Sequence, residues 1–272
     1  FSVISFSVLD DKPIYENPLA YVRSPESGLF LKSSEYRGAQ LQYLEAIIGR
    51  TIPVVLLQRS SDLKLQLGIE AASWSILGYD EGAFPLITQD FLIAVPLMFR
   101  IGSFSGALKF THLSAHRSDG FDLLWEKSLT HEEKEKIKII EEKENISISP
   151  PIKNYSRDFL SFEIARETEV GKTKIKSYVH VGYIHKIFPK HLKRWFIGQG
   201  YVIKHSSGLF FADDIRYNQD TNSFDFSVQT GWLFAGEYAE TRFCLLYYKG
   251  SDRRGMFLGR KMNEIGVGFF VR

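Results

Sequence analysis

Cysteine is almost missing from this chain. A single residue, Cys244, among 272 positions rules out an internal disulfide and leaves no Cys-x-x-Cys pair for a metal. It reads as a small buried or lumen-facing side chain. Net charge is also scarce. With 34 Lys and Arg against 32 Asp and Glu, the formal balance is +2, too little to argue for nucleic acid. No run of about 18 apolar residues occurs, which excludes a transmembrane helix. The opening residues, Phe1 to Leu9, carry neither a start methionine nor a basic leader. They read either as the tail of a signal peptide's apolar core or as a mature N-terminus.

What the chain does have is aromatics and alternation. The 22 Phe and 13 Tyr suit the two interfacial girdles of a membrane barrel, and equally an aromatic-rich soluble β protein. The alternation separates these. From Leu63 the order is Leu-Lys-Leu-Gln-Leu-Gly-Ile-Glu, and the same two-residue beat returns from Phe224 to Gly231 and from Ala239 to Leu245. Successive strand side chains point to opposite faces, so each segment has one apolar and one polar face. Strands are expected at 28–36, 41–57, 63–76, 87–100, 104–115, 155–167, 174–187, 195–204, 209–217, 224–233, 238–248 and 264–271. With no long helix to cover the apolar faces, hydrocarbon must do so, and only closure satisfies the backbone there.

The connections support this. Barrels of this kind have short periplasmic turns and longer outer loops. The links at 59–62, 101–103, 205–208 and 234–236 are short, and that near 168–173 is a little longer. The alternate links, at 77–86, 116–153 and 249–263, are long. The expected fold is therefore all-β: a closed antiparallel transmembrane β-barrel of about twelve strands over residues 26–272, with a charged extracellular loop insertion at 116–153. Residues 1–25 are an N-terminal periplasmic segment or signal-peptide remnant. The location that follows is a bacterial outer membrane.

Within the insertion, His131 to Glu144 is charge-rich with a few isoleucines and reads as a short helix or a solvated run, ended by Pro150-Pro151. Two features depart from the pattern. Pro96 removes a ladder hydrogen bond inside a strand, and the chain finishes Phe269-Phe270-Val271-Arg272 rather than on an aromatic residue.

Polarity assigns the faces. Ala107, Lys109 and Thr111 form the wet side of one strand, and Leu108, Phe110, His112 and Ser114 the other. On the next strand Arg157, Ser161 and Glu163 are wet. Leu160, Phe162 and Ile164 are apolar, and that face extends upward to Asp158, Ser156 and Asn154. The lipid-facing stripe of two neighbouring strands thus ends at the outer rim in His112, Ser114 and Asn154 or Ser156. Polar groups there cost energy unless they lie near the interface or pair with one another. A histidine beside a serine, with an orienting group on the next strand, has the layout of an acyl hydrolase: nucleophile, base and orienter. The alternative is an interfacial polar patch without chemistry. His-x-Ser occurs three times, at His112, His116 and His205, and the last falls in an expected periplasmic turn.

His112-Leu-Ser114 with Asn154 resembles the outer-membrane phospholipase A family, a twelve-stranded barrel with His-x-Ser on one strand and Asn on the next, facing lipid. Asn154-Tyr-Ser156-Arg157 looks loosely like that family's Asn-Arg pair. His116-Arg-Ser118-Asp119-Gly120 looks like its His-x-Ser-Asn-Gly with Asp for Asn. Lipid A deacylase barrels are similar in using His-x-Ser. A wider resemblance is carried by Pro18 to Pro25, the Leu-Lys-Leu-Gln-Leu strand, His112-Leu-Ser-Ala-His116, Tyr155-Ser-Arg157 and Ala212-Asp-Asp214. It points to a bacterial family labelled only as a domain of unknown function, and implies an outer-membrane location. The Arg23 segment departs from that family's more acidic form, so no role carries onto it.

The polar faces also carry Lys64, Glu70, Lys109, Arg157, Glu163, Asp225, Glu240 and Arg242. Inside a small barrel such groups pair and fill the lumen, or else line a narrow pore. Asp213-Asp214 and Asp80-Glu81 are solvated acids or oxygen ligands for calcium near the rim. Two functions therefore stand. One is an outer-leaflet lipid acyl hydrolase acting on phospholipid or lipopolysaccharide, with Ser114 attacking, His112 taking the proton and Asn154 or Ser156 fixing the imidazole. The other is a non-catalytic structural or small-solute transport barrel.

Overall fold

The computed structural model describes residues 5–8, 12–36, 39–59, 62–79, 83–118, 130–144, 155–188, 193–236, 239–252 and 261–271. Its strands are β1 (Ser5–Val8), β2 (Ser27–Tyr36), β3 (Ala39–Gln58), β4 (Leu63–Gly78), β5 (Leu86–Ile101), β6 (Phe104–Arg117), β7 (Tyr155–Val170), β8 (Thr173–Phe188), β9 (Trp195–His205), β10 (Leu209–Asn218), β11 (Ser223–Ala235), β12 (Glu240–Ser251) and β13 (Lys261–Val271). One helix, α1 (His131–Glu144), stands in the long insertion. Thr130 opens it with a reciprocal cap: the Glu133 amide donates to Thr130 Oγ1 and the Thr130 amide to Glu133 Oε2.

From β2 to β13 every strand pairs antiparallel with the next, and β13 pairs back onto β2 from Asn263↔Glu35 to Val271↔Ser27. The result is a closed barrel of twelve strands plus one. The extra strand, β1, lies along the edge of β3 below the start of β2, from Ser5↔Gln58 to Val8↔Val55. The five links at one end are all short, two to four residues each, whereas the other end mixes short links, at 37–38 and 219–222, with the long ones. Three of the five carry a glycine with positive φ: Gly102 (57°), Gly171 (59°) and Gly208 (90°). The β7–β8 link, expected to be longer, closes in two residues because both strands run on to Val170 and Thr173. Pro96 does interrupt a ladder: β4–β5 pairing is continuous to Leu67↔Leu97 and resumes at Glu70↔Ala94. Pro53 marks a second irregularity, in β3.

Alternation sorts the two faces as the sequence implies. Leu65, Leu67 and Ile69 of β4, Phe226 of β11 and Leu245 of β12 are exposed on the outer wall, while Gln66, Glu70, Gln229 and Cys244 are buried inside. An apolar exterior without a covering layer is what hydrocarbon requires. Rings on the outer wall pair near the outer end, Tyr183 with Trp195 (4.8 Å between centroids) and Tyr217 with Phe224 (5.1 Å).

The core is the lumen, and the N-terminal segment fills part of it. Tyr15, Asn17, Leu19, Ala20, Arg23, Ser24 and Glu26 are all buried. The stretch expected on the periplasmic side therefore runs inside the wall from about Pro13 to Glu26. It is held at both ends and in the middle. The Ile14 amide donates to Gln66 Oε1 (2.8 Å), Arg23 pairs with Asp90, and Arg242 donates to Glu26 Oε1 (2.8 Å). The Arg216 guanidinium lies 4.0 Å over the Tyr21 ring. At the centre, buried Lys109 donates to Asn17 Oδ1 and forms ion pairs with Glu163 (3.2 Å) and Glu70 (3.4 Å). Asn17 Nδ2 in turn donates to Glu70 Oε1 (3.0 Å).

Replacing Lys109 by Met leaves two carboxylates facing each other without their cation. The expected loss is about 3–5 kcal/mol, read as a lower temperature for the shift from folded to unfolded mobility in unboiled gels. Because the lumen is occupied, wild-type protein in planar bilayers is expected to carry no steady single-channel current; regular conductance steps would contradict a filled interior.

Candidate functional site

The site begins with the register of β6. Lys109 and Thr111 are held in the buried interior, so the residues alternating with them, Phe110, His112, Ser114 and His116, face out. On the neighbouring strands, hydrogen-bonded rows set Ser114 between Phe91 and Ser156, and His112 between Ile93 and Asp158. Ser114 lies close to the end of β6 at Arg117, at the barrel end that carries the long loops.

Two hydrogen-bonded pairs occupy this patch. His112 Nδ1 lies 2.5 Å from Asp158 Oδ1 on β7. Ser114 Oγ lies 3.2 Å from His116 Nε2. The His116 ring stands edge-on to Phe91, centroids 5.4 Å apart. Gln89, opposite His116, donates to Ser73 Oγ on β4 (3.1 Å), which extends the polar patch across one more strand. Ser114 is thus flanked along its own strand by two imidazoles, one bound to its hydroxyl and the other to a carboxylate.

Of the residues expected from sequence, His112, Ser114 and Ser156 share this outward face, with Ser114 opposite Ser156 in register. Asn154 lies outside the described residues. The partners differ from those expected: His112 bonds Asp158, and Ser114 bonds His116. Asp158, on the same extended face of β7, is the orienting group that the sequence leaves unassigned. The local sign of it is an acid two residues along from Ser156 on a lipid-facing stripe, where a carboxylate needs a partner. The third His-x-Ser also forms its bond, His205 Nδ1 to Ser207 Oγ at 2.8 Å, in a turn at the opposite end. A His-Ser hydrogen bond alone is therefore no mark of a site here; what distinguishes β6 is the carboxylate in the next strand.

Asp213 and Asp214 are adjacent on β10, so they face opposite sides. Asp214 is buried in the lumen and accepts from the Tyr178 hydroxyl (3.0 Å); Asp213 accepts the Tyr201 amide (2.8 Å). The two carboxylates do not converge on one ion. Among the described residues no three His, Cys, Asp or Glu side chains gather as a metal site. The one carboxylate described at Ser114's side, Asp158, is engaged by His112.

Twelve closed strands, apolar outside and filled inside, with polar side chains at the rim of the outer wall, define a bacterial outer-membrane β-barrel. Residues 38–271 match the family described as protein of unknown function (DUF1207), and the chain belongs to it. Among solved structures it is similar to the outer membrane phospholipase dimer with bound calcium from Salmonella typhi, at 13% identity over 97% of this chain and 94% of that one, with a TM-score of 0.57. It is likewise similar to outer membrane phospholipase A from Escherichia coli, at 14% identity over the same shares, with a TM-score of 0.55. At these identities the likeness is one of fold. No curated protein matches the chain in sequence.

The His112–Asp158 pair is partly exposed, with side chains 46% and 23% accessible. Such pairs add at most about 1 kcal/mol to stability. Asp158→Ala is therefore expected to leave the unfolding temperature of the barrel nearly unchanged; a large drop would make the pair a structural clamp.

Proposed function

We propose that this protein is an outer-leaflet lipid acyl hydrolase. Ser114 attacks the acyl carbonyl, and His112 takes its proton at Nε2, the nitrogen not used toward Asp158. Asp158 fixes the imidazole in that tautomer and stabilises it when charged. His116 holds the Ser114 hydroxyl in the resting arrangement, and rotation about the serine χ1 exchanges one imidazole for the other. After acyl transfer, His112 returns the proton to the leaving alcohol, and water releases the acid by the same path.

The observation that carries this reading is the carboxylate-bound imidazole two residues from a serine on the lipid-facing wall near the rim. Ester carbonyls of membrane lipids lie at that level, and a polar cluster there needs a partner or a task. A calcium-bound relative in fold shares the architecture, but the described residues here offer no set of oxygen ligands at Ser114, so no step is drawn through a cation.

The test is release of fatty acid from phospholipid and from lipid A by purified protein in mixed micelles, with and without calcium. Ser114→Ala and His112→Ala are each expected to lower the rate by about a hundredfold or more. His116→Ala is expected to have a smaller effect. Equal release by wild type and Ser114→Ala, or none by either, overturns the proposal. A His116→Ala loss as deep as that of His112→Ala would instead reassign the base to His116.

A further inference from the structure

The outer wall beside this patch is not smooth. An open groove of about 530 Å3 crosses the lipid-facing side from β6 to β3, with His112 on its wall at one end. Its floor is low because the side chains there are small. Ala71 and Ser73 face outward from β4 between the larger Ile48 and Ile52 on one side and Phe91 and Ile93 on the other. The register places these in two adjacent rows. One row runs Ile48, Ser73, Phe91, Ser114; the other runs Arg50, Ala71, Ile93, His112.

The far end is polar. Arg50 is exposed on β3 between outward-facing Ile48 and Ile52. Beside it, Ser27 at the start of β2 bonds the Gly49 backbone through its hydroxyl in place of a further ladder pair (3.1 and 3.2 Å). A charged side chain on the lipid face costs up to about 2–4 kcal/mol at mid-depth, so Arg50 makes a poor neighbour for a terminal methyl.

We infer that this groove is the acyl-chain subsite of the hydrolase proposed above, and that Arg50 and Ser27 act as its stop, so that the wall selects chains by length. The inference rests on that proposal. The occupant is one acyl chain of a membrane lipid, for three reasons. The groove opens onto hydrocarbon and is apolar along its length. It begins at His112 on β6, one row from Ser114, where the ester must sit. It also leads away from the serine, across β5 and β4 to Arg50 on β3, and so offers its length to a single chain. Three strand spacings make about 14 Å from β6 to β3, close to half of a hydrocarbon core of about 30 Å. The volume lies within the range of small-molecule sites, about 300–1,000 Å3.

The experiment compares hydrolysis of phospholipids of graded chain length, read as the ratio of long-chain to short-chain rates, which is insensitive to the fraction of folded protein. Ala71→Phe fills the groove and is expected to lower that ratio about tenfold or more. Arg50→Leu removes the stop and is expected to move the preferred length upward. Leu245→Phe, on β12, serves as the control and is expected to leave the ratio unchanged. Identical length profiles for wild type, Ala71→Phe and Arg50→Leu overturn the inference while leaving the hydrolase intact. Should wild type hydrolyse no ester at all, the hydrolase proposal fails, and the groove is read separately. A phospholipid with a photoactivatable group at its acyl terminus, in bilayers, is then expected to label residues 48–52 and 71–73 above the β12 face, less so in Ala71→Phe. Even labelling of both faces overturns the subsite.

Discussion

The ammonium of Lys109, buried at the centre of the barrel, is the interaction on which the arrangement rests. A lone charge there would be costly to desolvate, and it is tolerated because Glu70, Glu163 and Asn17 surround it. These partners come from β4, from β7 and from the segment inside the lumen. The network therefore fixes three things together: the register of the wall, the seat of the N-terminal segment and the inward face of β6. A slip of one residue in β6 would turn Lys109 toward lipid and His112 toward the lumen. The outward placement of the candidate site is thus a consequence of a charge held on the other side of the same strand.

The outer face shows the complementary constraint. Most of it is Leu, Ile, Val and Phe, as hydrocarbon demands. Three pairs of polar groups at and beside β6 are bonded to one another: His112 to Asp158, Ser114 to His116, Gln89 to Ser73. Mutual pairing lowers the cost of facing lipid, and it also preorganises donors and acceptors where an ester would lie. The small side chains of β4 add a shape to this chemistry. Polar patch and groove are continuous, and both depend on the strands keeping one register from β3 to β7.

Much of the barrel was legible because its signal is local. Alternation from Leu63 to Glu70 marks a strand whatever its neighbours are, and the long links at 77–86, 116–153 and 249–263 mark the outer end. The candidate serine and histidine were legible for the same reason, since parity along one strand decides the face. What escaped is non-local. Nothing in Asp158 by itself says that it stands opposite His112; that needs the β6–β7 register, set across the long insertion at 116–153. The segment around Tyr15 and Asn17 has no period at all, and its burial depends on partners as far along the chain as Arg242. Asp213 and Asp214 are set apart by strand geometry: neighbours in sequence are opposed in space.

The segment from about Pro13 to Glu26 also couples distant parts of the ring. β1 pairs with β3 and β2 with β13, while this stretch lies inside. It reaches β4 through Gln66, β5 through Asp90 and β12 through Arg242. Strands far apart around the cylinder thus share one internal strut, and loosening it would soften opposite walls together.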